Sequence, residues 1–151
     1  METIKNSVNF VNYSKDLGFS LEKKSKISEW IKKVIMQEEK ELGEINYVFC
    51  SDNDLLNYNE KYLNHDDLTD VITFDYCDKN IISGDILISI ERVTENSKIY
   101  SINTNNEIFN NELNRVMIHG LLHLIGFNDK TEEDMKAMRN KEDECLFLLI
   151  D

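Results

Sequence analysis

The stretch His119-Gly120-Leu121-Leu122-His123-Leu124-Ile125-Gly126-Phe127-Asn128-Asp129 restricts the fold more than any other part of the chain. Two histidines four apart share one face of an α-helix, so both imidazoles reach a single cation if this segment is helical. Gly126 follows three residues later and can end that helix in a left-handed turn. The backbone then reverses, and Asp129 can return to the same point. Three ligands with room left for water is the layout of a catalytic rather than a structural zinc site. The chain must therefore supply a long helix, a tight turn after it, and a scaffold that holds both.

The rest of the sequence reads as that scaffold. Val8–Tyr13 alternates as a strand. Ser20 is positioned to cap a helix over residues 21–40, with Ile27, Trp30, Ile31, Val34 and Ile35 on one apolar face and Gly43 closing the pattern. Ile45–Cys50 is a second strand. Ser51 or Asp52 can cap a short helix to Leu63 carrying Leu55, Leu56, Tyr58 and Tyr62. Asp70–Tyr76 is a β-branched and aromatic strand, Asp78–Asn80 turns the chain, and Gly84–Ile90 is apolar enough to be central in a sheet. A helix over Glu91–Tyr100, a loop at 103–106 and the motif helix over Glu107–Ile125 follow. Thr131–Asp134 opens a last helix bearing Met135, Met138, Leu146, Leu149 and Ile150. The expected class is α+β: one domain over residues 1–151, with a mixed sheet of about four strands packed with helices.

Composition bounds the function. The chain has 151 residues and is 41% hydrophobic, enough for a core and too rich for disorder. No apolar run approaches a membrane span, and Met1–Ser7 has no signal-peptide pattern, so the cytoplasm is the expected compartment. Cys50, Cys77 and Cys145 are far apart and odd in number; they read as free thiols in a reducing compartment, none of them assigned to the metal. A net charge of −12 weighs against a large polyanion-binding surface but not against a small local basic patch.

His119, His123 and Asp129 are thus the expected ligands of one zinc ion, through which they act catalytically. The spacing is that of the metzincin helix and turn, with Asp in third place. In HExxH zincins the residue after the first histidine is a glutamate base. Here it is Gly120, which can take no proton. Either another group activates the water, or the chemistry needs no strong base. A neighbouring 2′-hydroxyl of RNA, which DNA lacks, can also attack a phosphodiester.

His119–Gly126 resembles the signature H-G-x-L-H-L-x-G-Y-D-H of the YbeY family of bacterial rRNA-maturation endoribonucleases. The likeness extends along most of the chain. Thr69–Phe74 is similar to the family's T-D-V-L-S-F, Asn59 and Tyr62 fit its N-x-x-Y, Gly84–Ile86 fits its G-D-I, and Met138 and Glu142 fall on its M-x-x-x-E. The resemblance implies a zincin-like metal helix and a single-strand-specific endoribonuclease in 16S rRNA 3′-end maturation and ribosome quality control. It also implies RNA and the ribosomal subunit or its proteins as partners; a monomer is expected.

Three positions depart from the family pattern: Asp129 replaces a histidine ligand, Asn128 an aspartate, and Leu63 an arginine. Asp129 should weaken the metal as a Lewis acid and favour harder ions somewhat. Loss of the arginine removes a phosphate contact. Arg115, one turn before His119, is either its replacement or a solvated charge near Glu112. Asp70 and Thr73 are further candidates for holding substrate or water, and His65 sits in a polar loop before their strand. The alternatives are a non-catalytic zinc-containing ribosome-assembly factor and, disfavoured by Gly120, a metallopeptidase-like hydrolase.

Overall fold

The computed structural model describes residues 6–63, 69–99 and 106–149. Four strands, β1 (Ser7–Asn12), β2 (Glu41–Cys50), β3 (Val71–Asp75) and β4 (Ile81–Ser89), form one mixed sheet in the order β1-β2-β4-β3. β2 runs parallel to both β1 and β4, whereas β3 and β4 form an antiparallel hairpin. Parallel neighbours need crossovers, supplied by α1 (Lys24–Gln37) between β1 and β2 and by α2 (Asp52–Leu63) after β2. Three helices follow the sheet: α3 (Ile90–Ile99), α4 (Asn106–Ile125) and α5 (Glu132–Leu149). The α+β class, the four strands and the central place of β4 are as expected.

Strand alternation sorts side chains between the two faces. Ile45, Tyr47 and Phe49 of β2 and Ile82, Ile86 and Ile88 of β4 join α1 and α4 in the main core. On the other face Cys50, Ile72 and Leu87 meet Leu55 of α2. The second half of α4 is largely apolar because it lies between the sheet and other helices; Leu113, Met117, Ile118, Leu121 and Leu122 are all buried. Two buried polar contacts fix its surroundings. The Tyr47 hydroxyl donates to the Met117 carbonyl at 3.0 Å, and the Trp30 indole donates to the Cys145 carbonyl at 2.7 Å, tying α1 to α5. The three cysteines are free thiols.

Three local expectations fail for identifiable reasons. α1 begins at Lys24 behind Lys23, which has φ 57° and makes no side-chain cap; Ser20 does not cap it, while Ser14 caps a short 3-10 turn instead. α1 ends at Gln37 because Glu39 adopts φ 59° and the Glu39 and Lys40 amides bond back to Met36 and Ile35. Gly43 is therefore not a helix terminator. It lies inside a longer β2, where a side chain would overlap Ser83 and Ile81, and this lets the Ser83 hydroxyl accept from the Glu44 amide at 3.0 Å. Met135 is exposed rather than core. The expected polar loop with His65, residues 103–105 of the expected 103–106 loop, Tyr100 and Ile150 lie outside the described residues, while Asn106 is the first residue of α4.

Candidate metal centre

α4 carries His119 and His123 half-exposed on one face. Gly126 stops the helix at φ 123°, with its amide reaching the His123 carbonyl at 3.1 Å and the Phe127 amide reaching Leu122 at 2.9 Å. That paired closure, which needs a residue tolerant of positive φ, turns the chain back as the sequence predicts. It brings Asp129 Oδ2 within 3.2 Å of His123 Nε2 and 3.5 Å of His119 Nε2, and the two Nε2 atoms are 3.0 Å apart. Three donors on a tetrahedron with bonds of about 2.0–2.1 Å would be separated by about 3.4 Å. The residues therefore fit a small divalent ion, with the remaining position open to the outside.

A fourth residue, to which no role was assigned from the sequence, completes the arrangement. Glu142 of α5, with 5% of its side chain exposed, holds His119 Nδ1 at 2.7 Å through Oε2 and Arg115 Nη1 at 2.8 Å through Oε1. With Nδ1–H donated to Glu142, the Nε2 lone pair of His119 faces Asp129 and His123, the usual support for a metal-binding imidazole. Burial lowers the proton affinity of His119, but the hydrogen bond and charge of Glu142 more than reverse this, and its pKa stands above the ordinary value. Burial raises Glu142, yet its bonds from His119 and Arg115 prevail and hold it below the usual carboxylate range. The only trace in the sequence was the match of Met138 and Glu142 to a spaced pair.

The other candidate residues separate. Asp70, Arg115, His119, Asp129, Met138 and Glu142 line one cleft of about 300 Å³. Asp70 is half-buried, and desolvation raises its pKa against the opposing charge of His119. Arg115 is not a solvated charge beside Glu112: its second bond runs to Asp143 at 2.6 Å, so two carboxylates from α5 fix the guanidinium at the cleft wall. Thr73 lies beneath α4, its methyl 3.4 Å from where a Cβ on Gly120 would stand, and it is not among the cleft-lining residues. Gly120 itself faces the sheet. A Cβ there would come within 2.7 Å of Ile86 Cγ2. The position that bears the base in HExxH enzymes is a packing contact here.

Fold and site together define a class: α+β proteins in which a histidine helix and the turn after it form a metal-capable centre over a mixed sheet. Within that class the chain belongs to the YbeY family, since the family model described as Endoribonuclease YbeY matches residues 9–149. Relatives named Endoribonuclease YbeY include one from Flavobacterium psychrophilum, 48% identical with 91% of this chain and 95% of that protein covered. Another, from Flavobacterium johnsoniae, is 47% identical with 89% and 93% covered. The solution structure of TM1509 from Thermotoga maritima shares the fold, with a TM-score of 0.60 at 24% identity over 93% of this chain and 89% of that one.

Proposed function

We propose that this chain is an endoribonuclease that cleaves single-stranded RNA with one zinc ion held by His119, His123 and Asp129, and that it acts in 16S rRNA 3′-end maturation and ribosome quality control. One observation carries the reading: the donor atoms of these residues stand 3.0–3.5 Å apart at the edge of an open cleft. The name shared by the relatives supports RNA as the substrate. Cytoplasmic action as a monomer at the ribosomal subunit belongs to the same proposal. Among the described residues no helix is long and apolar enough to cross a membrane.

When bound, zinc supplies Lewis acidity, stabilising charge on a phosphoryl oxygen and making water acidic enough to react near neutral pH. The chain's own residues do the positioning. Glu142 keeps His119 in the tautomer whose Nε2 faces the centre. Arg115, braced by Glu142 and Asp143, directs its remaining N–H donors at a phosphate oxygen. Asp70, half-buried in the cleft and raised in pKa, holds substrate or water and accepts a proton, the task Gly120 cannot perform. The crowding of Gly120 against Ile86 speaks against a peptidase, because no glutamate fits there.

The test is cleavage of a single-stranded oligoribonucleotide by highly purified protein beside its His119→Ala variant, with zinc measured in both. Loss of zinc and of cleavage in the variant is expected. Equal cleavage by the two would reveal a contaminating nuclease and favour a non-catalytic assembly factor. Mapping 16S rRNA 3′ ends in cells depleted of the protein tests the biological step, with accumulation of unprocessed ends expected.

A further inference from the structure

A larger groove, of about 770 Å³, adjoins the metal cleft. It runs between the residues leading into α1, the first half of α4 and one side of α5. The chain has 17 basic and 29 acidic residues, yet this groove is lined by four basic side chains, Lys23, Lys26, Arg115 and Arg139, against two acidic ones, Glu22 and Glu112. The local balance is thus the inverse of the whole. Glu112, Arg115 and Arg139 line the groove and the metal cleft alike, so the two are continuous. Lys23 is exposed, and Arg139 is 64% exposed with only a 4.0 Å approach to Glu142. Asn110, Asn111 and Asn114 add amide donors and acceptors along the same wall.

We propose that this groove carries the single-stranded RNA flanking the phosphodiester at the metal centre, with Lys23, Lys26 and Arg139 taking its phosphates. The proposal rests on the endoribonuclease reading. A flexible polyanion fits for two reasons. Phosphates are drawn to a region where an acidic protein turns basic, and a strand must continue away from the scissile bond along a surface joined to it. Eight residues of α4 separate Asn111 from His119, a run of about 12 Å at 1.5 Å per residue, so a chain lying along α4 reaches both. The groove also furnishes phosphate contacts that an uncharged Leu63 does not.

The experiment compares the intact protein with Lys23→Glu/Lys26→Glu, a milder Lys23→Gln/Lys26→Gln, and Lys33→Glu/Lys79→Glu, whose charge change is equal but outside the groove. Binding of a labelled single-stranded oligoribonucleotide is read by fluorescence anisotropy across a salt series, in the cold before turnover. KM and kcat are measured separately, and thermal unfolding checks that each variant is folded. Charge reversal in the groove should weaken binding roughly tenfold or more and flatten the slope of log Kd against log salt by about 1.4, for two lost phosphate contacts at about 0.7 each. KM should rise with kcat kept, the Gln pair should show a smaller effect of the same kind, and the outside pair should bind like the parent. If the parent binds and cleaves RNA while the groove and outside variants behave alike, the groove is not the path although the enzyme reading stands. If the folded, zinc-loaded parent neither binds nor cleaves RNA, that reading fails and takes the groove proposal with it.

Discussion

At the scale of single residues, the site divides into groups that reach a metal and groups that aim them. Asp129 sits in an exposed turn with room around it, so Asp129→His should keep one zinc per chain and keep or raise activity; loss of zinc on elemental analysis would show that the position is no ligand. Glu142 reaches no metal, yet Glu142→Gln should lower zinc affinity about 10–100-fold, read by competition with a chelating dye, as removal of such supporting carboxylates typically does. The pair it makes with His119 also sets a pH window for the metal-free protein. The raised pKa of His119 gives stability fully present below about 6.5 and lost as pH rises through the folded-state value. The lowered pKa of Glu142 gives stability present above about 4.5 and lost as pH falls through its folded-state value. The chelated parent should therefore exceed Glu142→Gln in urea midpoint by more at pH 5.5 than at pH 8.5; an equal difference would mean that the pair is not ionised as described. His119, His123 and Asp129 could be read from the sequence because their geometry is local, one helical turn and one reversal. Glu142 could not, because its place depends on how α5 folds back across α4.

At the scale of elements, α4 is seated by what it lacks. Gly120 lets the helix backbone approach β4 closely enough for Ile86 to fill the space of an absent Cβ. Gly120→Ala should accordingly lower unfolding free energy by about 1–3 kcal/mol through overpacking, although alanine normally favours a helix interior by about 1 kcal/mol. Urea denaturation decides the sign, and a stabilised variant would show the contact to be loose. The termini of α1 were misjudged in the sequence for a related reason. Both Lys23 and Glu39 take positive φ, a conformation that a lysine or a glutamate does not advertise, whereas Gly126 announces the end of α4 plainly. Interior elements with strong apolar periodicity, such as β4 and the middle of α1, were legible because burial alone determines them.

At the scale of the whole molecule, the centre joins α4, the turn after it and, through Glu142, α5, while Trp30 fastens α5 to α1. Zinc that binds only the folded arrangement should therefore stabilise the entire chain. At a free concentration one hundred times Kd the gain is about 2.7 kcal/mol, which at this size corresponds to about 5–10 °C in Tm. Differential scanning calorimetry with and without a chelator checks this; an unchanged Tm would mean that the ion does not bind the native state. The acidic composition argued against a broad polyanion surface, and it could not locate the basic groove, since a count of charges holds no record of where folding puts them. The glycine within the metal helix finally bears on how such proteins can change over generations. A glutamate at position 120 would recreate a peptidase base by altering one residue, but Ile86 occupies its space. Ile86 would first have to shrink, and Ile86→Ala leaves a cavity costing about 2–5 kcal/mol. A change from glycine to glutamate at this position thus runs through either an overpacked or a cavity-bearing intermediate, so packing as well as reactivity bears on it.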